Sequence, residues 1–144
     1  MAEIYGRSTK GMPLCGVHAV AVAADKPVTE VFFMFKKEYR KRDSWLGRVN
    51  KTERAGMLKL LGIRWKPMPV QYEGITLASW IDQHTVKGVI YIVETGVHVQ
   101  SVCDGVVTDQ CNRKPINKYR WKRCRVKSAI QILNGKENDE HKTG

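Results

Sequence analysis

The chain has 144 residues, of which 42% are hydrophobic, so it is long enough to bury one substantial core. Its formal net charge is +11, from 25 basic and 14 acidic side chains. The N-terminal residues lack a signal-peptide pattern, and the longest apolar runs, 19–24 and 89–93, are too short to span a membrane. We therefore expect a cytoplasmic protein with no membrane partner and four reduced cysteines.

Two helices are predicted at the start of the chain. Pro13 is favourable just before or in the first turn of a helix, which predicts a helix that begins at Cys15. Asp25 as a cap and Pro27 in the first turn predict a second helix. Its apolar stripe is followed by a cationic end that runs to Arg42, which suits the helix dipole.

Two more helices are predicted before the pattern changes. Residues 43–49 are expected to form a loop. Asn50 and Glu53 have the spacing of a capping box for a third helix, which ends before Gly62. A short fourth helix is expected over 76–84, with its apolar residues facing inward.

The second half of the chain has the composition of β-strands. Asp104 and Gly105 predict a hairpin with a two-residue turn. Helices followed by an antiparallel sheet indicate the α+β class. We expect one domain over 1–133 and a disordered polar tail over 134–144. The predicted strands cover 89–93, 97–103, 106–111 and 119–126, with 63–68 and 128–133 as further candidates.

The hairpin register brings a histidine and an acid together. If the turn has two residues, Cys103 pairs with Val106, and His98 faces Cys111. Asp109 is then a diagonal neighbour of His98 on the adjacent strand. The two backbones are about 7–8 Å apart at these residues, which permits a hydrogen bond between imidazole and carboxylate. A three-residue turn would place these side chains on opposite faces and abolish the pair.

Cys15, His98 and Asp109 form a candidate nucleophile, base and orienting acid. The positive end of the helix dipole would favour a thiolate at Cys15. The alternative is that Cys15 is a buried structural residue and His98 a packed strand residue. Of the other histidines, His18 has the surroundings of a packed side chain, and His84 those of a helix cap.

The order of cysteine, histidine and aspartate, with helices before the sheet, resembles the papain-like cysteine peptidases. More narrowly, it is similar to compact bacterial and phage peptidases related to those that trim double-glycine leaders. The resemblance lies within 8–112 and implies a papain-like fold and a polypeptide substrate, without a cofactor, in a cytoplasm (that of the host, or a virion, for a phage-encoded chain). The matching pieces are C-G-V-H-A-V-A, N-K-T-E-R-A-G-M-L-K-L-L-G-I and G-V-I-Y-I-V-E-T-G-V-H-V-Q-S-V-C-D-G-V-V-T-D.

The resemblance implies that Cys15 is the nucleophile, His98 the general base and then acid, and Asp109 the residue that orients His98. Such enzymes usually carry a glutamine a few residues before the cysteine, and none precedes position 71 here. Ser8 or Thr9 is the expected replacement as oxyanion donor, beside the Cys15 N–H. Peptide hydrolysis, deamidation, isopeptide cleavage and acyl transfer all remain open.

The alternative function is a basic, non-enzymatic module that binds nucleic acid or an acidic protein. Its charge concentrates in 36–42 and 119–127, where Tyr119 and Trp121 would stack on bases. A zinc site at the remaining cysteines lacks a C-x-x-C knuckle, so no metal is expected. The candidate binding residues are Lys36, Lys37, Arg40, Lys41, Arg42, Arg120, Lys122, Arg123 and Arg125.

Overall fold

The computed structural model describes residues 13–70, 74–96 and 98–133. Within these ranges the helices are α1 (Cys15–Ala24), α2 (Val28–Glu38), α3 (Lys51–Leu60) and α4 (Leu77–His84), with a 3-10 turn at Ile116–Lys118. The strands are β1 (Arg64–Pro67), β2 (Tyr91–Thr95), β3 (Val99–Cys103), β4 (Val106–Thr108), β5 (Arg113–Pro115) and β6 (Val126–Leu133). None of the described helices has the length and apolar character needed to cross a membrane.

The six strands form one antiparallel sheet in the order β1-β6-β2-β3-β4-β5. Side chains alternate along β2, so Ile92 joins the core beneath α1, α2 and α3, whereas Tyr91 and Val93 join a second core. That second core lies beneath α4 and the segment around Tyr119. The predicted α+β class is confirmed, with both faces of the sheet covered.

The helix ends follow the predicted signals in α3 but not in α2. Asn50 and Glu53 form the predicted capping box, with each side chain accepting the backbone N–H of the other. Asp25 does not cap α2. It adopts a left-handed conformation (φ 54°) that closes α1, and Pro27 is the N-cap of α2. The two helices are too closely spaced for Asp25 to serve both.

The predicted hairpin turn is confirmed. Asp104 and Gly105 both have positive φ, as a two-residue type I′ turn requires, and Cys103 pairs with Val106. The ladder with β3 ends at Thr108, where the next residue turns away from it. Cys111 is therefore exposed on a turn and does not pair with His98, so that part of the predicted register is wrong.

The predicted strand over 119–126 is also wrong. Residues 120–124 form turns, and β6 begins only at Val126. The carbonyls of Lys122 and Cys124 accept the N–H groups of Ala78 and Leu77 at the start of α4. These bonds use backbone groups that a strand would give to its neighbour. Ser8, Thr9 and the predicted tail over 134–144 lie outside the described residues.

Candidate active site

The N-terminus of α1 is held by a side chain from the β4–β5 turn. Leu14, the N-cap of α1, has no side-chain oxygen, and its N–H donates instead to Oε1 of Gln110 at 2.8 Å. Cys15 is the first residue of the helix, and its Sγ accepts the Val99 N–H at 3.4 Å. The sulfur therefore lies against the peptide that follows His98.

His98 lies just before β3, and its backbone is fixed by a turn with Thr95. The Thr95 N–H donates to the His98 carbonyl at 2.9 Å. On its side chain, Nε2 lies 3.1 Å from Oδ2 of Asp109 and 2.7 Å from the hydroxyl of Tyr119. The structure thus brings His98 and Asp109 into direct contact, with both side chains almost completely buried.

Asp109 accepts hydrogen bonds on both carboxylate oxygens. Its Oδ1 accepts the N–H groups of Cys111 and Asn112 at 2.9 and 2.8 Å, and its Oδ2 accepts the Tyr119 hydroxyl at 2.6 Å. Burial alone would raise the pKa of this carboxyl, but the donors from His98, Tyr119, Cys111 and Asn112 outweigh it and lower the pKa to about 2. Asp109 is therefore ionised at neutral pH.

An ionised Asp109 determines where the proton of a neutral His98 resides. The Tyr119 hydroxyl donates to Asp109, so its oxygen can accept from His98. Nε2 faces two acceptors, and we assign the proton to it. Nδ1 then carries a lone pair, and it is buried without a hydrogen-bond partner among the described residues. A histidine held in this tautomer is ready to accept a proton at Nδ1.

Burial favours the protonated form of the Cys15 thiol, in the opposite direction to the helix dipole. Burial raises the pKa of Cys15 and outweighs the N–H of Val99 and the charge of Arg54, which act in the opposite direction. Arg54 is itself buried and paired with Glu94 at 3.1 Å. A partly buried thiol with a raised pKa needs a base to take its proton before it can act as a nucleophile.

Gln110 presents a second unpaired polar group at the same helix end. Its side chain is 4% exposed, and Nε2 is buried with no hydrogen-bond partner within the described part of the chain. Because the two heteroatoms of a carboxamide are about 2.3 Å apart, Nε2 lies within roughly 5 Å of the Leu14 nitrogen.

Burial raises the pKa of the adjacent Cys111 thiol, Asp109 adds to that rise, and the Gln110 amide opposes it.

The rings of Trp121 and Tyr119 pack around the His98 imidazole. Trp121 packs edge-on against His98, with ring centroids 4.8 Å apart, and Tyr119 packs edge-on against Trp121. Tyr119 is 1% exposed, so it does not stack on a nucleic-acid base as the sequence suggested. Burial raises the pKa of Tyr119, and its bond to Asp109 adds to that rise, so the hydroxyl stays protonated and keeps donating.

Sequence reasoning missed Tyr119, Gln110 and Asn112. D-Q-C-N at 109–112 contains the signal for two of them, because an aspartate often accepts backbone N–H groups two or three residues later. That turn directs Asp109 toward His98 and leaves Gln110 facing α1. Nothing in the local pattern marks Tyr119, which reaches the site after a 3-10 turn.

The other histidines and cysteines considered from the sequence make no hydrogen bond to His98 or Asp109 within the described residues. One exception is Cys111, whose backbone N–H binds Asp109. His18 is partly buried on α1; burial lowers its pKa, and the charge of Asp109 opposes that change. His84 ends α4 and packs against Trp80. The four cysteines are free thiols, and no group of three or more metal-binding side chains occurs in the described ranges.

The two basic segments do not form one patch, because they belong to opposite faces of the sheet. Residues 36–42 comprise the end of α2, which packs on the first core, and the residues just after it, whereas residues 119–127 begin at Tyr119 in the second core and run into β6. In the first segment Lys36 pairs with Asp43, and Lys41 pairs with Glu53 at 2.6 Å. Among the residues that the structure describes, Lys37, Arg40, Arg42, Arg120, Lys122, Arg123 and Arg125 make no ion pair.

Acidification is expected to destabilise the fold through Asp109. A carboxyl whose folded-state pKa is depressed contributes stability above its unfolded value, 3.8, and that contribution is lost as the pH falls toward about 2. The contribution corresponds to about 2 kcal/mol. Urea unfolding between these pH values should show the loss, and Asp109→Asn should remove most of it. An equal pH dependence in the native protein and the variant would contradict this origin.

Comparison of the chain with protein-family models, with curated proteins and with solved structures finds no match. A relation to the papain-like peptidases is therefore a proposal, and it rests on the sequence motifs and on the arrangement of Cys15, His98 and Asp109.

Proposed function

We propose that the protein is a papain-like, cysteine-dependent hydrolase that cleaves peptide or amide bonds through Cys15, His98 and Asp109. One observation supports this above all. An ionised Asp109 binds Nε2 of His98, and Nδ1 of the same ring has no partner among the described residues. The N–H of the next residue, Val99, donates to the Cys15 sulfur. His18 and His84 each also have a buried ring nitrogen without a partner in the described ranges, so His98 is set apart by the combination of its bond to Asp109 and its place beside the Cys15 sulfur.

The first half of the reaction forms a thioester. Nδ1 of His98 takes the proton of the Cys15 thiol, and the sulfur attacks the carbonyl carbon of the scissile amide. Asp109 stabilises the resulting imidazolium through Nε2 and stays ionised itself. The imidazolium then gives its proton to the leaving nitrogen, the C–N bond breaks, and an amine departs.

The second half releases the acyl group. A water molecule enters, His98 takes one of its protons, and the hydroxyl attacks the thioester carbonyl. The C–S bond breaks, the sulfur recovers the proton from the imidazolium, and a carboxylic acid leaves. Because burial raises the pKa of Cys15, the thiol rather than the thiolate is restored at the end of the cycle.

Both steps pass through a tetrahedral oxyanion that needs hydrogen-bond donors. The Cys15 N–H belongs to the first turn of α1, where backbone N–H groups lack a helical acceptor. Nε2 of Gln110 is the second donor in this proposal, because it is buried, has no hydrogen-bond partner among the described residues and is held near the same helix end. The sequence suggested Ser8 or Thr9 for this role, and both lie outside the described residues.

Active-site labelling tests the function without a known substrate. A peptidyl chloromethyl ketone mixture should label Cys15 faster than Cys111, although Cys111 is the exposed thiol. His98→Ala should abolish that preference, because it removes the base that takes the Cys15 proton. Preferential labelling of Cys111 in the native protein, together with no cleavage of a proteome-derived peptide library, would contradict the proposed function.

A further inference from the structure

An exposed arginine lies on the α1 side of the candidate active site. The loop that carries Arg48 packs against the start of α1, because a Cβ on Gly47 would collide with Leu14 and a Cβ on Gly16 would lie 2.7 Å from Val49. Arg48 is held between these two contacts, close enough to Cys15 for its charge to act on the thiol. It makes no ion pair within the described part of the chain.

A second exposed arginine lies on the His98 side of the candidate active site. The Arg120 guanidinium is 4.9 Å from the centre of the Trp121 ring, and Trp121 packs against His98. Stacking on the indole holds the guanidinium in place and leaves its N–H donors free. The two arginines therefore flank the groups that the proposed reaction uses.

The residues that follow Arg120 in the chain carry further charge without an ion pair in the described ranges. Lys122, Arg123 and Arg125 line an open cavity of about 550 Å³ with Thr76 and Asn117. The Lys122 ammonium donates to the Asn117 carbonyl, and the Arg125 guanidinium donates to the Gly74 carbonyl. These acceptors are neutral, so they orient the two side chains without cancelling their charge.

Nearby carboxylates are already bound to other groups. Glu94 accepts hydrogen bonds from Arg54 and Ser128, and Asp109 is buried with His98 and Tyr119. An anionic ligand would therefore meet Arg48 on the Cys15 side and Arg120 on the His98 side. It would not compete with an acidic side chain of the protein for these two cations.

We infer that the site takes acidic polypeptides, with Asp or Glu residues on both sides of the attacked bond, bound by Arg48 and Arg120. This inference rests on the proposed function. It is favoured over a nucleic-acid ligand because Tyr119 is buried and Trp121 is covered by Arg120 and His98. Tyr119 therefore offers no face for base stacking, and the Arg120 guanidinium already lies over the ring of Trp121.

Three peptides with one central sequence and flanks of Glu, Gln or Lys test the inference. We expect kcat/KM for the Glu peptide to exceed that for the Gln peptide by roughly tenfold at low salt, and the Lys peptide to be poorest. Arg48→Gln and Arg120→Gln should each reduce the preference for Glu over Gln. Lys66→Gln on β1, at the far edge of the sheet, makes the same charge change and should preserve it.

Failure of this inference is distinguishable from failure of the proposed function. Equal cleavage of the three peptides, or a preference that neither arginine variant reduces, overturns the inference and leaves the hydrolase intact. If no peptide is cleaved, fluorescence anisotropy with Cys15→Ala provides the second measurement. Tighter binding of the labelled Glu peptide, lost in the double arginine variant, supports acidic recognition. Equal binding of the Glu and Gln peptides, or stronger binding of a single-stranded oligonucleotide, overturns it.

Discussion

Replacing Cys15 by serine is expected to lower amide hydrolysis by about 10⁴-fold or more, because a serine hydroxyl is a far weaker nucleophile than a thiolate. The fold should survive, since serine is nearly isosteric and is favourable near a helix N-terminus. The measurement is kcat/KM on any substrate that the native protein cleaves. Cys103→Ser is the matched control, because Cys103 ends β3 and lies away from His98.

His98→Ala should cause a loss of similar size, and the double variant should be little worse than either single variant. This non-additivity follows because the nucleophile and its base act as one unit. Asp109→Ala should be milder, because Asp109 orients the base and does not touch the substrate. Full activity in Cys15→Ser would show that Cys15 is a core residue and that the hydrolase proposal is wrong.

The contact between His98 and Asp109 could be predicted because a two-residue turn fixes the pairing of its two strands. Asp104 and Gly105 adopt the positive φ values that this turn requires, and the register is correct as far as Thr108. Beyond that point Asp109 binds the N–H groups of its own turn, which ends the ladder. The prediction for Cys111 fails because period-two alternation applies only while the strand lasts.

The state of the Cys15 thiol could not be predicted from the local sequence. A helix N-terminus favours a thiolate, and this argument needs only the position of Pro13 and the apolar run. The opposing effect is the loss of solvent around the sulfur, which arises when the start of β3 packs against α1. That desolvation depends on contacts between residues far apart in the chain. Burial is the larger effect on the pKa of Cys15, and in the proposed mechanism His98 supplies the activation.

Tyr119 illustrates the same limit for the aromatic residues. Its place among arginines and lysines suggested a ring exposed to nucleic acid, yet the ring is buried and its hydroxyl binds the candidate base. The alternation of basic and aromatic residues reflects turns, in which Tyr119 points inward and Arg120 outward. A strand was predicted because composition alone does not distinguish these two arrangements.

Gln110→Ala is expected to lower kcat by roughly 10²- to 10³-fold with a smaller change in KM, because it removes one of two proposed oxyanion donors. The unpaired Nε2, buried beside the first residues of α1, is the reason for expecting so large an effect from a single side chain. Steady-state kinetics of the native protein and the variant on one peptide provide the measurement.

Gln110 also holds the N-terminus of α1 through Oε1, and alkylation of Cys15 by iodoacetamide separates the two roles. Alkylation needs the thiolate and the base but forms no oxyanion, so Gln110→Ala should retain most of the native alkylation rate while hydrolysis falls. His98→Ala should lower both rates, because it removes the base itself. Equal losses of alkylation and hydrolysis in Gln110→Ala would mean that Gln110 only positions the helix. A large loss confined to hydrolysis would identify its amide as a group that acts on the transition state.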